Sequence, residues 1–223
     1  MRVLGRATQR HDTGQGWRGS RGVSWGLGLL GLILAIAGYF EPWVPHGTSA
    51  LVVTGFELVE FVKFFPQVQG GAVPVIREMF LAPLLAAAIL TGLMGYKWPI
   101  RPRGQAALVG LSALLALFAL PPYEYLFAPP YRLQLVLAIC AVVLVLLTPA
   151  TRYLPRRVFG GLFALIALAG IGLALWQFAL LHPLVVDLYG QSLGVGWGMV
   201  TCTMGFVLLL MRGMLAAAFA GKA

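Results

Sequence analysis

The chain has 223 residues, 60% of them hydrophobic and only 10% charged, with a mean hydropathy of +0.87. A soluble domain is about 45–50% apolar and about 25% charged, so composition excludes a water-soluble globule and leaves an integral membrane protein, which the apolar windows below make an all-α bundle. The formal charge of +9 comes without a block of like charges or a nucleic-acid motif, and it does not point to nucleic acid.

Residues 1–23 form a basic tail with Arg2, Arg6, Arg10, Arg18 and Arg21. The first apolar window, Trp25–Phe40, is extended to Trp43 by aromatic residues. It reads as a signal anchor, because its n-region is long and no small-x-small cleavage site follows. A membrane-crossing helix needs about 20 apolar residues. Five further windows meet or approach that length: Met79–Tyr96, Gln105–Leu120, Leu133–Pro149, Val158–Leu181 and Leu193–Met211. The third window is short and ends at Pro121-Pro122, so spanning would require local thinning or tilt. The transmembrane domain is placed at 24–216, with a short tail at 217–223.

The longest connection, about 44–77, contains Thr54-Gly-Phe-Glu-Leu-Val-Glu-Phe-Val-Lys-Phe-Phe-Pro66. Thr54 and Glu57 have capping-box spacing, and Pro66 opposes continuation of a helix. At 100° per residue, Leu58, Val59, Phe61, Val62 and Phe65 share one arc. Glu57, Glu60 and Lys63 lie opposite. This predicts a short amphipathic helix in the interface plane on the outer face. Phe56 and Phe64 fall on the charged side, where lipid does not require them, and become candidate partner contacts.

With the N-terminus inside, the cytoplasmic basic residues are the five tail arginines, Lys97, Arg101, Arg103, Arg152, Arg156, Arg157, Arg212 and Lys222, thirteen of 16. Glu41, Glu57, Glu60, Glu78, Glu124 and Asp187 fall outside, and Asp12 inside. This positive-inside bias predicts six spans with both termini cytoplasmic, as a multi-pass protein of a bacterial plasma (inner) membrane. The short inner loops leave no room for a cytoplasmic domain. Three outer tips, around Glu41, Glu124 and Asp187, each combine aromatics, proline and a carboxylate. They fit an aromatic belt, or a shared outer binding site of Glu41, Glu124, His182 and Asp187.

Small residues let membrane helices approach closely. Gly28, Gly31, Ala35 and Gly38 make such a stripe on the first helix, as do Gly194, Gly198, Thr201 and Gly205 on the last. Packing within the bundle is the plainer reading. Association with another subunit through Gly28, Gly31 and Gly38 is the sharper one. The fourth window is bulky and β-branched and is expected to face outward, to lipid, a pigment or a partner.

No catalytic or phosphate-binding motif occurs, and no motif implies a cofactor. Cys140 and Cys202 lie in apolar runs and read as packing residues. His46 and His182 share the outer boundary and would be the candidates for haem or metal ligation, but boundary histidines also fit a wet interface. No charged residue lies near mid-span, where ion-coupled carriers usually need one. Gln134 and Gln177 are placed to bond between helices. The leading expectation is a non-catalytic, accessory or scaffolding subunit of a larger membrane complex, with lipid and other integral membrane chains as partners. The alternative is a small permease for a lipid-like or apolar solute, perhaps as the membrane component of a multi-subunit transporter. That alternative predicts a cavity among the first, fifth and sixth helices. A third reading is an intramembrane enzyme using His182, Asp187 and Glu41.

Overall fold

The computed structural model describes residues 14–45, 52–97, 102–190 and 194–219, with the side chains of the first helix described from Trp25 onward. His46 and most of the basic tail lie outside these residues. The order is α1 (Gly14–Phe40), β1 (Pro42–Val44), β2 (Val53–Thr54), α2 (Leu58–Phe61), α3 (Pro66–Gln69), α4 (Ala82–Lys97), α5 (Pro102–Phe118), α6 (Arg132–Leu147), α7 (Arg156–Tyr189) and α8 (Trp197–Ala218). Four helical stretches are long and apolar enough to cross a membrane: Arg77–Tyr96, Pro129–Tyr153, Arg156–Tyr189 and Trp197–Ala218. Two shorter apolar stretches, Trp25–Phe40 and Pro102–Phe118, accompany them.

α8 packs between α1 and α7, α4 joins α7 to α5, and α6 sits outside α4 and α5. The expectation for α6 holds: Leu133, Val136, Ile139, Val143, Leu144, Leu146 and Leu147 all face outward. Water does not drive helices together within a bilayer, so fit and hydrogen bonds carry the association. The α1–α8 seam is built from glycine. A Cβ on Gly31 would lie 2.9 Å from the Gly205 carbonyl oxygen. One on Gly38 would overlap the Cys202 amide and lie 2.6 Å from the Gly198 carbonyl oxygen. Gly213 similarly meets the backbone of α7 at Ala164. The small stripe of α1 is therefore filled from within the chain.

Hydrogen bonds tie the remaining elements. Ser112 Oγ donates to the Ala88 carbonyl at 2.6 Å. Gln134 Nε2 donates to the Ala119 carbonyl at 3.1 Å. The Ile76 amide donates to Gln177 Oε1 at 2.8 Å. Thr203 bonds back to the Met199 carbonyl at 2.8 Å, the local closure expected of threonine in an apolar helix.

Three expectations change. First, α7 continues past Leu181 through Pro183 to Tyr189 and ends at Gly190 with φ 64, the left-handed cap that glycine adopts without steric cost. Pro183 lies inside this helix and removes the bond its amide would make to the carbonyl of Ala179, a local cost the last two turns absorb. His182 is thus inside a helix, and Asp187 is on its last turn. Second, a two-stranded ribbon pairs Pro42 with Thr54 and Val44 with Val53. It was too short to give an alternating pattern. Third, the apolar arc of the amphipathic segment is covered by protein. The capping box forms: the Thr54 amide donates to Glu57 Oε2 at 2.9 Å, and the Glu57 amide to Thr54 Oγ1 at 3.2 Å. The helix itself lasts only from Leu58 to Phe61 before tightening to a 3₁₀ turn at Val62–Phe64. Its apolar arc is buried in protein at Leu58, Val59, Val62 and Phe65, against the Arg77–Leu81 turn.

Arg212, counted above among the cytoplasmic basic residues, is covered by the chain's own helices. It is buried, with Cζ 4.2 Å from the Phe163 ring centroid. Its stem passes Gly28, where a Cβ would lie 2.8 Å from Arg212 Cδ and Nε. The missing side chain on α1 makes the room.

Candidate functional site

The elements that meet at one end of the bundle can be read from contacts between distant residues. The ribbon packs on the start of α8, where the Gly196 amide donates to the Trp43 carbonyl at 2.9 Å. Trp43 is fully buried against Phe178, and its Nε1 donates to the Gly38 carbonyl at 3.0 Å. This end therefore collects the ribbon, α2, the Arg77–Leu81 turn, the α5–α6 connection and the end of α7.

The predicted site residues are spread over this end. Glu41 is half-buried beside Gly198 of α8. Glu124 is exposed and accepts a bond from the Tyr123 hydroxyl at 2.9 Å. His182 is half-buried, its ring 5.8 Å from that of Phe178. Asp187 is exposed. Among the described residues no group of three or more His, Cys, Asp or Glu is placed to hold a metal ion.

Ion pairing is concentrated elsewhere, on Glu60, Lys63, Arg77 and Glu78. Lys63 pairs with Glu60, three residues earlier on the α2 segment. Arg77 Nε donates to Glu78 Oε1 at 2.7 Å, and Arg77 Nη2 donates to the Pro130 carbonyl. Arg77 Nη1 lies 3.9 Å from Glu60 Oε1. Tyr131 is the hub: Lys63 Nζ donates to its hydroxyl at 2.8 Å. Lys63 Nζ and Arg77 Cζ lie 4.2 and 4.8 Å from its ring centroid, within cation–π range. Tyr125 stacks on it at 5.7 Å and 22°. Arg77 and Glu78 are largely shielded from water, so their pair holds more strongly than the exposed Glu60–Lys63 pair.

No protein-family model, curated protein or solved structure matches the chain.

The Tyr131 cluster therefore rests on its own geometry. It joins the α2 segment, the Arg77 turn and the α5–α6 connection into one cap. Sequence reading missed it because Lys63 and Tyr131 are 68 residues apart. The adjacent charges Arg77-Glu78, directly before an apolar run, were the available signal. Tyr131→Ala should loosen the cap and speed amide exchange across 58–81. Tyr131→Phe, which keeps the ring for both cations, should change it little. Hydrogen–deuterium exchange in detergent distinguishes the two; equal exchange in both variants would refute the hub role.

Below the cap lies a groove of about 290 Å³, lined by Glu78, Met79, α4, Leu137 of α6, and α7. The cavity expected among the first, fifth and sixth apolar helices would lie among α1, α7 and α8, where α8 meets α1 through backbone at Gly38 and Cys202 and meets α7 at Gly213 and Ala164.

The partner candidates divide. Phe56 is absorbed by the chain, packing against Tyr39 and Phe40 with ring centroids 6.5 and 6.0 Å away. Phe64 is 76% exposed. In the connection that Tyr131 clasps to it, Phe127 is 80% and Tyr123 85% exposed.

Proposed function

We propose that the chain is a non-catalytic subunit of a larger membrane assembly, crossing a bacterial plasma membrane six times with both termini in the cytoplasm. The observation that carries this reading is the exposed aromatic rim of Phe64, Tyr123 and Phe127 on the clasped cap. Exposed aromatic anchors on a preorganised surface are what protein interfaces use, because little ordering entropy is lost on binding. A lipid-facing belt would explain Tyr123, with its polar tip at headgroup level. It gives no reason for Phe64 to stand among Glu60 and Lys63.

A photoreactive phenylalanine analogue at position 64 tests the reading in native membranes. One discrete crosslinked band containing a second membrane chain is expected, and it should weaken when Phe127 is replaced by serine. Labelling of lipid alone would count against the proposal.

A further inference from the structure

The groove beneath the cap has a definite origin in sequence. α4 and α7 each turn one face toward it, with lining residues at i, i+3, i+4 and i+7 spacing. The two faces meet where Gly170 leaves no Cβ against Ala86. Ala82, Ala86 and Gly170 thus set the floor, and Leu85, Leu173 and Leu137 stand around it. From Glu78 to Ile89 the groove runs roughly 16–18 Å at helical rises, along the membrane-crossing stretch Arg77–Tyr96. Ala169 and Leu173 are exposed, so the groove opens sideways to the surrounding bilayer. Such a groove takes up hydrocarbon of some kind, and selectivity rests with the polar group at its mouth.

One polar side chain lines the groove, the carboxylate of Glu78, and that residue is only 7% exposed. Its Oε1 accepts from Arg77 Nε at 2.7 Å. Among the described residues its Oε2 accepts no hydrogen bond. Arg77 offers nothing further to the groove: Nη2 donates to the Pro130 carbonyl, and Nη1 is buried near Glu60. The ion pair therefore leaves the mouth close to neutral, with one strong acceptor unfilled. An acceptor kept from water without a donor is costly. An anionic head would be repelled by the carboxylate, and a cationic one would find it already paired. An ether or ester head carries no donor. A hydroxyl group donates and adds no charge.

We propose that this groove binds a neutral amphiphile with a single hydroxyl head, a long-chain alcohol of linear or polyprenyl type. The hydroxyl donates to Glu78 Oε2 at the end of the span, and the hydrocarbon body lies along α4 and α7 over the small-residue floor. The Arg77–Glu78 pair sets the neutrality of the head, and the free carboxylate oxygen sets the need for a donor. The site does not depend on the chain having a protein partner.

The test is photolabelling of the purified full chain in phosphatidylcholine nanodiscs with a diazirine-bearing hexadecanol, mapped by peptide mass spectrometry. Label is expected on the groove-lining stretches of α4 and α7. Unlabelled hexadecanol should compete about tenfold better than 1-methoxyhexadecane or hexadecyl phosphate, the worth of one hydrogen bond to a charged acceptor. Ala169→Phe fills an exposed position of the groove and should lower the labelling about tenfold. Glu78→Leu should keep the label but erase the preference for hydroxyl over methyl ether. Size-exclusion profiles establish that each variant is folded, and the competition on the original chain needs neither variant. Equal competition by alcohol and ether on the original chain, a hydroxyl preference that survives in folded Glu78→Leu, or label spread evenly over the outward face of α6 overturns the site and leaves only annular lipid.

Discussion

Gly38→Val is expected to leave no folded, monodisperse protein in detergent. At this position α1 and α8 touch through backbone. A Cβ on Gly38 overlaps the Cys202 amide and comes within 2.8 Å of its Cα. Neither neighbour is a flexible side chain that can swing away, so the helices must separate. Overpacking typically costs about 1–3 kcal/mol when side chains can adjust, and here they cannot. Separation would also open the contacts at Gly31 and Gly205 on the same seam. Gly172, on the same apolar background but with nothing near its Cβ position, provides the control. Gly172→Ala should be neutral or raise stability by up to about 1 kcal/mol, from helix propensity. Fluorescence-detected size-exclusion of both variants checks the contrast. A folded Gly38→Val protein with the original melting temperature would show that the seam is not formed as described.

Arg212→Glu is the second change expected to be severe. The guanidinium lies over the Phe163 ring, whose face carries negative potential and favours a cation. A carboxylate there would face that potential in a buried setting. Leaving a buried charge uncompensated costs roughly 3–5 kcal/mol. Arg212→Lys keeps the charge but loses the planar stacking of the guanidinium, so its loss should be clearly smaller. Thermal unfolding in one detergent ranks the three proteins. Equal melting temperatures for the lysine and glutamate variants would contradict the placement of Arg212 over Phe163.

The helices were legible because each is a continuous apolar run with turn residues at its ends. The window Leu133–Pro149 differs from α6 by one or two residues at each end. Glycine spacing on the first and last helices likewise announced a close seam, although only the fold assigns it to α1 against α8. The burial of Arg212 was not legible, because a basic residue just past an apolar window does not show what will cover it. The opening beside Gly28 that admits it belongs to another helix. The α2 segment was read with the right cap and the right apolar arc. Its neighbour was not legible, since nothing local says whether such an arc meets lipid or protein. The cap and groove depend on Lys63, Arg77 and Tyr131, and on Ala86 meeting Gly170. Those pairings are long-range and leave no periodic trace.

Purification of the native protein from its own membranes in mild detergent, with the mass of the particle and the identity of every chain in it, tests the central claim most directly. A particle holding this chain with the same other membrane chains at fixed stoichiometry is predicted, and Phe64→Ser with Phe127→Ser should release the chain from it. A stable particle containing this chain alone, at the mass of one folded copy with its detergent and lipid, would contradict the account.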